Sequence, residues 1–373
     1  LNPNEKGQVE VSALTLSQIG QDTKENNKLF SAKADTFARG IELIELRLGR
    51  KIKLGHMKYI ILSKELAQND IAPLLDTFIR TNKISNSVSL FISEEKAKDV
   101  LTAANELAQS SSYYLSEIIS NNYDNAFTKE TSIDYFYKGY YSKEGTSTLA
   151  YIGSSSTEDE GIPTGPTSQQ DQSSGEATGQ NTSGGSAGGQ SQKTINFNRQ
   201  NAILKDGKFV RVMDRQEMRG LDWITTDSVT QYLTIENFTD EQNGLFDATI
   251  TFEVDEKTSR KKVMFIKNVP NIIYNINISF DITEIIEKQG NSTPNTKIHM
   301  TDKMNLAITE KIKQEVLFML QKQRQYKTDA MGLFNFLESQ DYYKFHKMLN
   351  SLQNKEDFLS YVRINMEVTS KFA

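Results

Sequence analysis

Side chains that could do chemistry are few in this 373-residue chain, and their spacing forms no catalytic or metal-binding pattern. The sequence has no cysteine, and its three histidines, His56, His299 and His346, match no zinc-binding spacing such as HExxH. The glycine-rich motifs of nucleotide-binding proteins and the GxSxG elbow of α/β-hydrolases are absent as well. The sequence therefore predicts no catalytic centre, no metal and no other cofactor.

His56 follows Gly55 and directly precedes an apolar run in KIKLGHMKYIILSKELAQND, residues 51–70. No obvious serine, cysteine or second histidine in the sequence completes a catalytic pair with it. We therefore interpret His56 as a structural residue, hydrogen-bonded at a turn between a helix and a strand.

Asp222 stands beside the only tryptophan, Trp223, and is the one carboxylate that draws attention as a glycosidase-type acid. A single large aromatic side chain is more typically present for burial. We therefore favour Trp223 as a core or interface anchor over a catalytic Asp222–Trp223 pair.

Aromatic residues crowd the segment SIDYFYKGYYSKEGTSTLAYIG, residues 132–153. Tyr135, Tyr137 and Tyr140 belong to this cluster, which could stack a ligand or cover a partner-facing surface. The segment lies just before a change in composition, so a connector packed between neighbouring units is the favoured interpretation.

The linker-like segment is residues 154–192, which consist almost entirely of Ser, Gly, Thr, Gln and acidic residues. Such a composition cannot bury enough apolar area to offset chain entropy, and it predicts a disordered linker or loop insertion.

The net charge of −5 lacks the basic excess of a nucleic-acid-binding protein, so no nucleic-acid partner is expected. No apolar run approaches the roughly 20 residues of a spanning helix. The first residue is leucine, which favours a processed or trimmed N-terminus.

Periodicity predicts different architectures on the two sides of this linker. Before it, the pattern indicates a mixed α/β fold in which helices and strands alternate. The predicted elements are a helix over residues 34–48 with Ser31 as a cap, the strand MKYIILS, a helix capped by Asp70, the strand SVSLFIS and a helix near residues 97–107. After it, the pattern indicates an α+β fold. The predicted elements are a hairpin turn at Asp206 and Gly207, strands of period two, a long helix from Thr301 and a final strand.

These patterns predict a multi-domain α/β and α+β protein whose mixed or antiparallel sheets are each packed with helices. The expected domains are residues 1–110 as an N-terminal α/β domain, 111–153 with 193–240 as a middle domain or connector, 154–192 as a disordered linker, and 241–373 as a C-terminal α+β domain.

The segment GHMKYIILSKELAQNDIAPLLDTFIR resembles the Ger(x)C-type proteins, the C subunits of bacterial spore germinant receptors. The residues that fall in place are Gly55, His56, Lys58, Ala67 and Arg80. In the second half, AILKDGKFVRVMDRQEMRGLDWI is similar to the hairpin and helix that lead to the Trp223 position. KQRQYKTDAMGLFNF is similar to the family's long helix and its Asp-x-x-Gly turn, here Asp329 and Gly332.

The sequence departs from the family pattern in two ways. The lipidated N-terminal cysteine is missing, which we attribute to trimming. The usual pair of C-terminal tryptophans is replaced by residues such as Tyr342, Tyr343 and Phe358.

The resemblance implies a non-enzymatic lipoprotein on the outer face of the spore inner membrane. It would be anchored by an N-terminal lipid and would couple or stabilise a receptor with membrane-embedded A and B subunits. Within the motif, we expect Gly55 to supply backbone freedom, Lys58 to lie on a solvated face and Arg80 to form a buried or interface ion pair. Two other classes stay open: a solute-binding lipoprotein that uses residues 135–141 as a stacking platform, and a hydrolase acting on the spore cortex.

Overall fold

The structure, a computed structural model, describes residues 2–3, 8–15, 28–80, 84–85, 87–107, 132–152, 200–225, 231–287 and 298–372. The linker predicted at residues 154–192 lies outside these residues. No helix in the described parts of the chain is both long and apolar enough to cross a membrane.

The first unit is an antiparallel sheet of three strands that packs against one helix. Its elements are β1 (Asn2–Pro3), β2 (Val9–Thr15), β3 (Lys28–Ala34) and α1 (Phe37–Leu48). The predicted cap Ser31 is wrong, because it lies within β3, where its hydroxyl is 2.9 Å from that of Ser12. Thr36 caps α1 instead, and its hydroxyl accepts the backbone N–H of Arg39.

The second unit is a five-stranded sheet in the order β4-β5-β6-β7-β8. Its strands are β4 (Tyr59–Ser63), β5 (Ser89–Ser93), β6 (Thr146–Ile152), β7 (Gln200–Lys205) and β8 (Lys208–Val212). The first three strands run parallel and the last two are antiparallel. The predicted hairpin turn is confirmed, since Asp206 and Gly207 have positive φ angles of 49° and 74° between β7 and β8.

Helices cover both faces of this sheet, which is why β4, β5 and β6 each contain at least three consecutive buried apolar residues. They are α2 (Lys64–Ala67), α3 (Ala72–Arg80), α4 (Ala97–Leu107) and α5 (Ile133–Tyr140). Phe78 and Phe136 are buried on one face of the sheet, and Phe91 packs with Val100 on the other.

The third unit is a four-stranded sheet in the order β12-β11-β10-β9, covered by helices on one face. Its elements are β9 (Gln231–Asp240), β10 (Leu245–Ile266), β11 (Val269–Glu287), β12 (Arg363–Phe372), α6 (Arg215–Thr225), α7 (Asp302–Tyr326), α8 (Leu333–Gln340), α9 (Tyr342–Ser351) and α10 (Phe358–Tyr361). Period-two patterning places Phe252 and Phe280 in the core beneath the helices. The predicted long helix is confirmed, and Thr301 caps it by accepting the N–H of Met304.

The structure thus has the predicted mixed and antiparallel sheets packed with helices. The sheets favour domain limits other than those predicted from the sequence. Strands on both sides of residue 110 form the second sheet, and β9 pairs with β10 across residue 240. We therefore propose that the three sheets, each with its helices, are the domains.

Candidate interdomain site

The loop between α7 and α8, residues 327–332, is where the second and third units meet. The backbone N–H of Asp329 donates to the hydroxyl of Thr146, at the start of β6, over 3.2 Å. The ammonium group of Lys205, at the end of β7, donates to the carbonyl of Lys327 over 2.9 Å and to the carboxylate of Glu356 over 3.0 Å. Two strands of the second sheet therefore bind the loop directly.

Asp329 organises this loop through a buried carboxylate. Its two oxygens accept the backbone N–H groups of Leu333 and Phe334, at 2.9 and 2.8 Å, which would otherwise lack partners in the first turn of α8. Gly332 precedes the helix with a φ of 64°, a conformation that glycine adopts without strain. Burial raises the pKa of Asp329, although these hydrogen bonds and the charge of Lys261 oppose the shift.

Gln323 binds the same loop from the side of the third unit. Its side-chain oxygen accepts the hydroxyl of Thr328 at 2.9 Å and the N–H of Ala330 at 3.1 Å. Its amide nitrogen donates to Glu217 of α6 over 2.8 Å, and Glu217 forms an ion pair with Arg211 of β8. A continuous hydrogen-bonded path therefore connects β8 to the loop through α6 and α7.

A cavity of about 170 Å³ lies beside the loop. Among its lining residues are Tyr135, Glu144, Thr146, Asp329, Gly332 and Asn335. Pockets for small molecules usually enclose about 300–1,000 Å³, so this cavity is smaller than most of them. The structure thus brings together three residues singled out in the sequence, namely Tyr135, Asp329 and Gly332.

Glu144 is a titratable group of this cavity that the sequence did not indicate. Burial raises the pKa of its carboxyl to about 7, and the nearby carboxyls of Asp329 and Glu356 add to the shift, while the charge of Lys205 opposes it. Thr146 and Gln323 were also not singled out, because nothing local in the sequence shows that a strand start and a helix end will meet.

Replacing Glu144 by glutamine is expected to flatten the pH dependence of stability. A carboxyl whose folded-state pKa is raised stabilises the fold below the unfolded pKa and loses that contribution as pH rises through about 7. From about pH 5 to about pH 8 the unchanged chain should lose about 1 kcal/mol more than Glu144→Gln, a figure reduced for solvent screening because the side chain is partly exposed. Urea unfolding at both pH values measures the difference, and parallel curves would contradict it.

A second contact between the units lies at the surface. Lys143 forms an ion pair with Glu338 of α8, and the ring of His346 lies 2.7 Å from the same carboxylate. These two hydrogen bonds lower the pKa of Glu338. The ammonium group of Lys143 also lies 5.8 Å from the centre of the Tyr342 ring. This ion pair adds to the contacts that the loop makes between the units, and it depends on the charges of Lys143 and Glu338.

Tyr137 and Tyr140 do not form an open platform for ligand stacking. Their hydroxyls donate to the carbonyl of Ala72 at 2.9 Å and to the carboxylate of Asp70 at 3.2 Å. The hydrogen bond to Ala72, the first residue of α3, connects α5 to that helix, and the two rings pack edge to face against each other within α5. Within this cluster, only Tyr141 presents a largely exposed ring.

Trp223 and Asp222 are both buried in the third unit. The indole N–H of Trp223 donates to Glu315 over 2.7 Å, and the carboxylate of Asp222 accepts the ammonium group of Lys257 over 2.9 Å. Asp222 is therefore withdrawn from solvent and cannot meet a polymeric substrate, as the cortex-hydrolase interpretation would require. In the described parts of the chain, no cluster of three or more His, Asp or Glu side chains has the arrangement of a metal site.

The motif residues of the first half lie at the surface. His56 ends a 3-10 turn, Leu54–His56, where its ring is exposed and makes no hydrogen bond to any described residue, so the expected hydrogen bond is absent. Gly55 in the same turn has no positive φ, and Lys58 is exposed as expected. Arg80 pairs with Asp76 at 2.5 Å, but its side chain is 80% exposed, so the ion pair is not buried and its place at an interface stays a prediction.

Replacing His56 by alanine is therefore expected to leave the free energy of unfolding within about 0.5 kcal/mol of that of the unchanged chain. The reason is that the His56 ring is exposed and makes no hydrogen bond to any described residue. Thermal unfolding measures this. A clear drop in melting temperature would show that the turn depends on the ring, whereas lost germination with unchanged melting would identify a functional surface.

The α7–α8 loop joins the second and third of the three sheet units, and comparisons with known proteins give the family of the chain. Residues 1–154 match the model described as spore germination protein N-terminal domain, and residues 200–372 match spore germination B3/GerAC like, C-terminal. The chain therefore belongs to the Ger(x)C family of spore germination proteins, the C subunits of germinant receptors. This family is membrane-associated.

A solved structure, "Crystal Structure of the GerBC protein", has a similar fold. The similarity has a TM-score of 0.53 at 14% sequence identity and covers 100% of this chain and 95% of that chain. Identity at this level supports the shared fold alone. The comparison with curated proteins found no match.

Proposed function

We propose that this chain is a non-enzymatic, lipid-anchored C subunit that couples or stabilises a nutrient germinant receptor at the outer face of the spore inner membrane. Its partners in this proposal are the membrane-embedded A and B subunits, which bind the small germinants. The lipid anchor follows from the family resemblance. The observation that carries the coupling role is the α7–α8 loop, which both neighbouring units bind.

The loop suits a coupling role because its contacts hold the second unit in place relative to the third unit. Thr146 and Lys205 bind it from the second sheet, and Gln323 binds it from α7. Breaking buried hydrogen bonds of this kind leaves polar groups without partners, which is costly. The second and third units therefore keep a fixed relation, and partner subunits that contact different units are held at a fixed spacing.

Capture of a small germinant is the second candidate, and the cavity beside Tyr135 and Glu144 is the observation that favours it. Its carboxyls would select a ligand with a cationic group, and its volume limits the ligand to a small one. Calorimetry of the purified chain with amino acids and sugars tests this candidate. Binding heat that Glu144→Gln removes would support solute capture and contradict the assignment of germinant binding to the membrane subunits.

Co-purification tests the receptor assembly itself. A tagged full-length precursor is cross-linked in spores and purified from detergent-solubilised membranes, and mass spectrometry identifies the proteins that accompany it. We expect multi-span receptor subunits together with a lipidated N-terminus. Recovery of the protein alone and without lipid would overturn the proposal.

A matched pair of lysine variants tests the coupling role of the loop. Lys205→Gln removes the hydrogen bond to the Lys327 carbonyl and the ion pair with Glu356, whereas Lys208→Gln alters an exposed lysine just beyond the same turn. We expect slower nutrient-triggered germination for Lys205→Gln at unchanged subunit abundance, and normal germination for Lys208→Gln. Equal germination rates would contradict a coupling role for the loop.

A further inference from the structure

The hairpin formed by β10 and β11 ends in a surface that combines exposed apolar and basic side chains. Met264 and Ile266 are 54% and 55% exposed there, although both are large apolar residues. Lys262 is exposed on the same strand face, and Lys267 lies in the turn that joins the two strands. We call these four residues the tip surface.

The alternation of β10 shows which side of the sheet the tip surface occupies. Val263 and Phe265 pack against the core beneath the helices, so their neighbours Met264 and Ile266 point to the opposite, uncovered face. The ammonium group of Lys344, in α9, lies 5.9 Å from the Phe265 ring, so the first turn of that helix lies on the covered face at this end of the hairpin.

Two exposed tyrosines lie on elements that reach the same end of the sheet. Tyr343, which precedes Lys344 in α9, and Tyr361 are both exposed. Tyr361 stands two residues before Arg363, whose register partner Asn271 lies close to the hairpin turn. Tyrosine rings with an apolar body and a polar tip are typical of the zone where a protein meets lipid headgroups.

The charge at the tip is of one sign. Residues 258–280 contain no Asp or Glu, whereas Arg260, Lys261, Lys262 and Lys267 all lie within them. Asp341, a nearby acidic residue that caps α9, is already paired with Lys344. The chain as a whole is acidic, with a net charge of −5, so the basic tip is a local feature.

The opposite end of the same hairpin has the opposite charge. Its described residues include Glu241, Asp247, Glu284 and Glu287, roughly 60 Å away at about 3.3 Å per residue. Apolar side chains are exposed there too, since Phe246 and Ile286 are 59% and 52% exposed. The two ends therefore differ in charge, while each has two large apolar side chains that are more than half exposed.

We propose that the tip surface binds an anionic lipid bilayer and gives the third unit a membrane contact of its own. The basic side chains match the negative surface of such a membrane, and Met264 and Ile266 enter the headgroup region. The inference rests on the membrane-side location in the proposed function. It adds a second contact, which fixes how the third unit is oriented on the membrane.

Vesicle flotation with the purified chain tests this proposal without receptor subunits or a lipid anchor. We expect binding to vesicles of phosphatidylcholine with phosphatidylglycerol, little binding to phosphatidylcholine alone, and release at high salt. The double variant Lys262→Gln with Lys267→Gln should bind anionic vesicles about 30-fold more weakly, because each basic residue near such a surface contributes about a factor of five. Met264→Ser with Ile266→Ser should also weaken binding.

Matched controls separate the tip from general stickiness and general charge. Phe246→Ser with Ile286→Ser removes comparable apolar side chains at the acidic end, and Lys53→Gln with Lys58→Gln removes two exposed lysines before β4. Both controls should bind anionic vesicles like the unchanged chain.

Three outcomes would overturn the proposal. They are an absence of binding to anionic vesicles, equal losses in the tip variants and their controls, and normal vesicle binding by tip variants that have lost cross-links to multi-span subunits. The last outcome would make the tip a protein-docking surface. Each of them is compatible with recovery of receptor subunits by the unchanged chain in the co-purification, so failure here is distinguishable from failure of the proposed receptor role.

Discussion

Replacing Asp222 by alanine is expected to lower the free energy of unfolding by about 3–5 kcal/mol, because it removes a carboxylate that is paired with a buried ammonium group. The side chain of Lys257 is fully buried, and its nitrogen lies 2.9 Å from the Asp222 carboxylate. The same nitrogen also donates to the Asp222 backbone carbonyl, which cannot neutralise the charge. Urea unfolding followed by circular dichroism measures the loss.

Two controls show whether the loss comes from breaking the buried ion pair. The double variant Asp222→Leu with Lys257→Met should recover most of the stability, since apolar residues of similar volume often replace a buried pair without loss. Asp76→Ala breaks the exposed pair with Arg80 and should cost less than about 1 kcal/mol. Equal costs for Asp222→Ala and Asp76→Ala would show that the buried pair contributes no more than a surface pair.

Replacing Asp329 by alanine is expected to lower the free energy of unfolding by about 2–4 kcal/mol, because two buried N–H groups lose their acceptors. These groups belong to Leu333 and Phe334 in the first turn of α8. In this variant the α7–α8 loop should also become less ordered, because Asp329 holds the end of the loop to the start of α8. Unfolding in urea gives the loss, and limited proteolysis near the loop reports the local opening.

Asp329→Asn is the matched variant, because its amide keeps one oxygen acceptor and nearly the same volume. It should lose less stability than Asp329→Ala. Spores carrying Asp329→Ala should also germinate more slowly with nutrient if the loop couples the units as proposed. A stability unchanged in Asp329→Ala would show that water replaces the carboxylate at the helix start.

Residues that are neighbours in sequence determined the elements of this protein. The Asp206–Gly207 turn, the cap at Thr301 and the alternation of β10 and β11 depend on backbone preferences and periodicity, which a contiguous stretch carries by itself. The order of such segments also sufficed for the family resemblance. The helix cap at Ser31 failed because Thr36 supplied an equally good hydroxyl closer to α1, and Ser31 was taken into a strand.

Only the tertiary structure decided which side chains meet and which stay in water. Thr146 and Asp329 are 183 residues apart in sequence and share a hydrogen bond, and Asp222 finds Lys257 across 35 residues. The same packing left His56 and Arg80 exposed, although their residue types suit buried partners as well. The physical reason is that burial and pairing depend on how segments far apart in sequence pack together, and local residue preferences do not specify that packing.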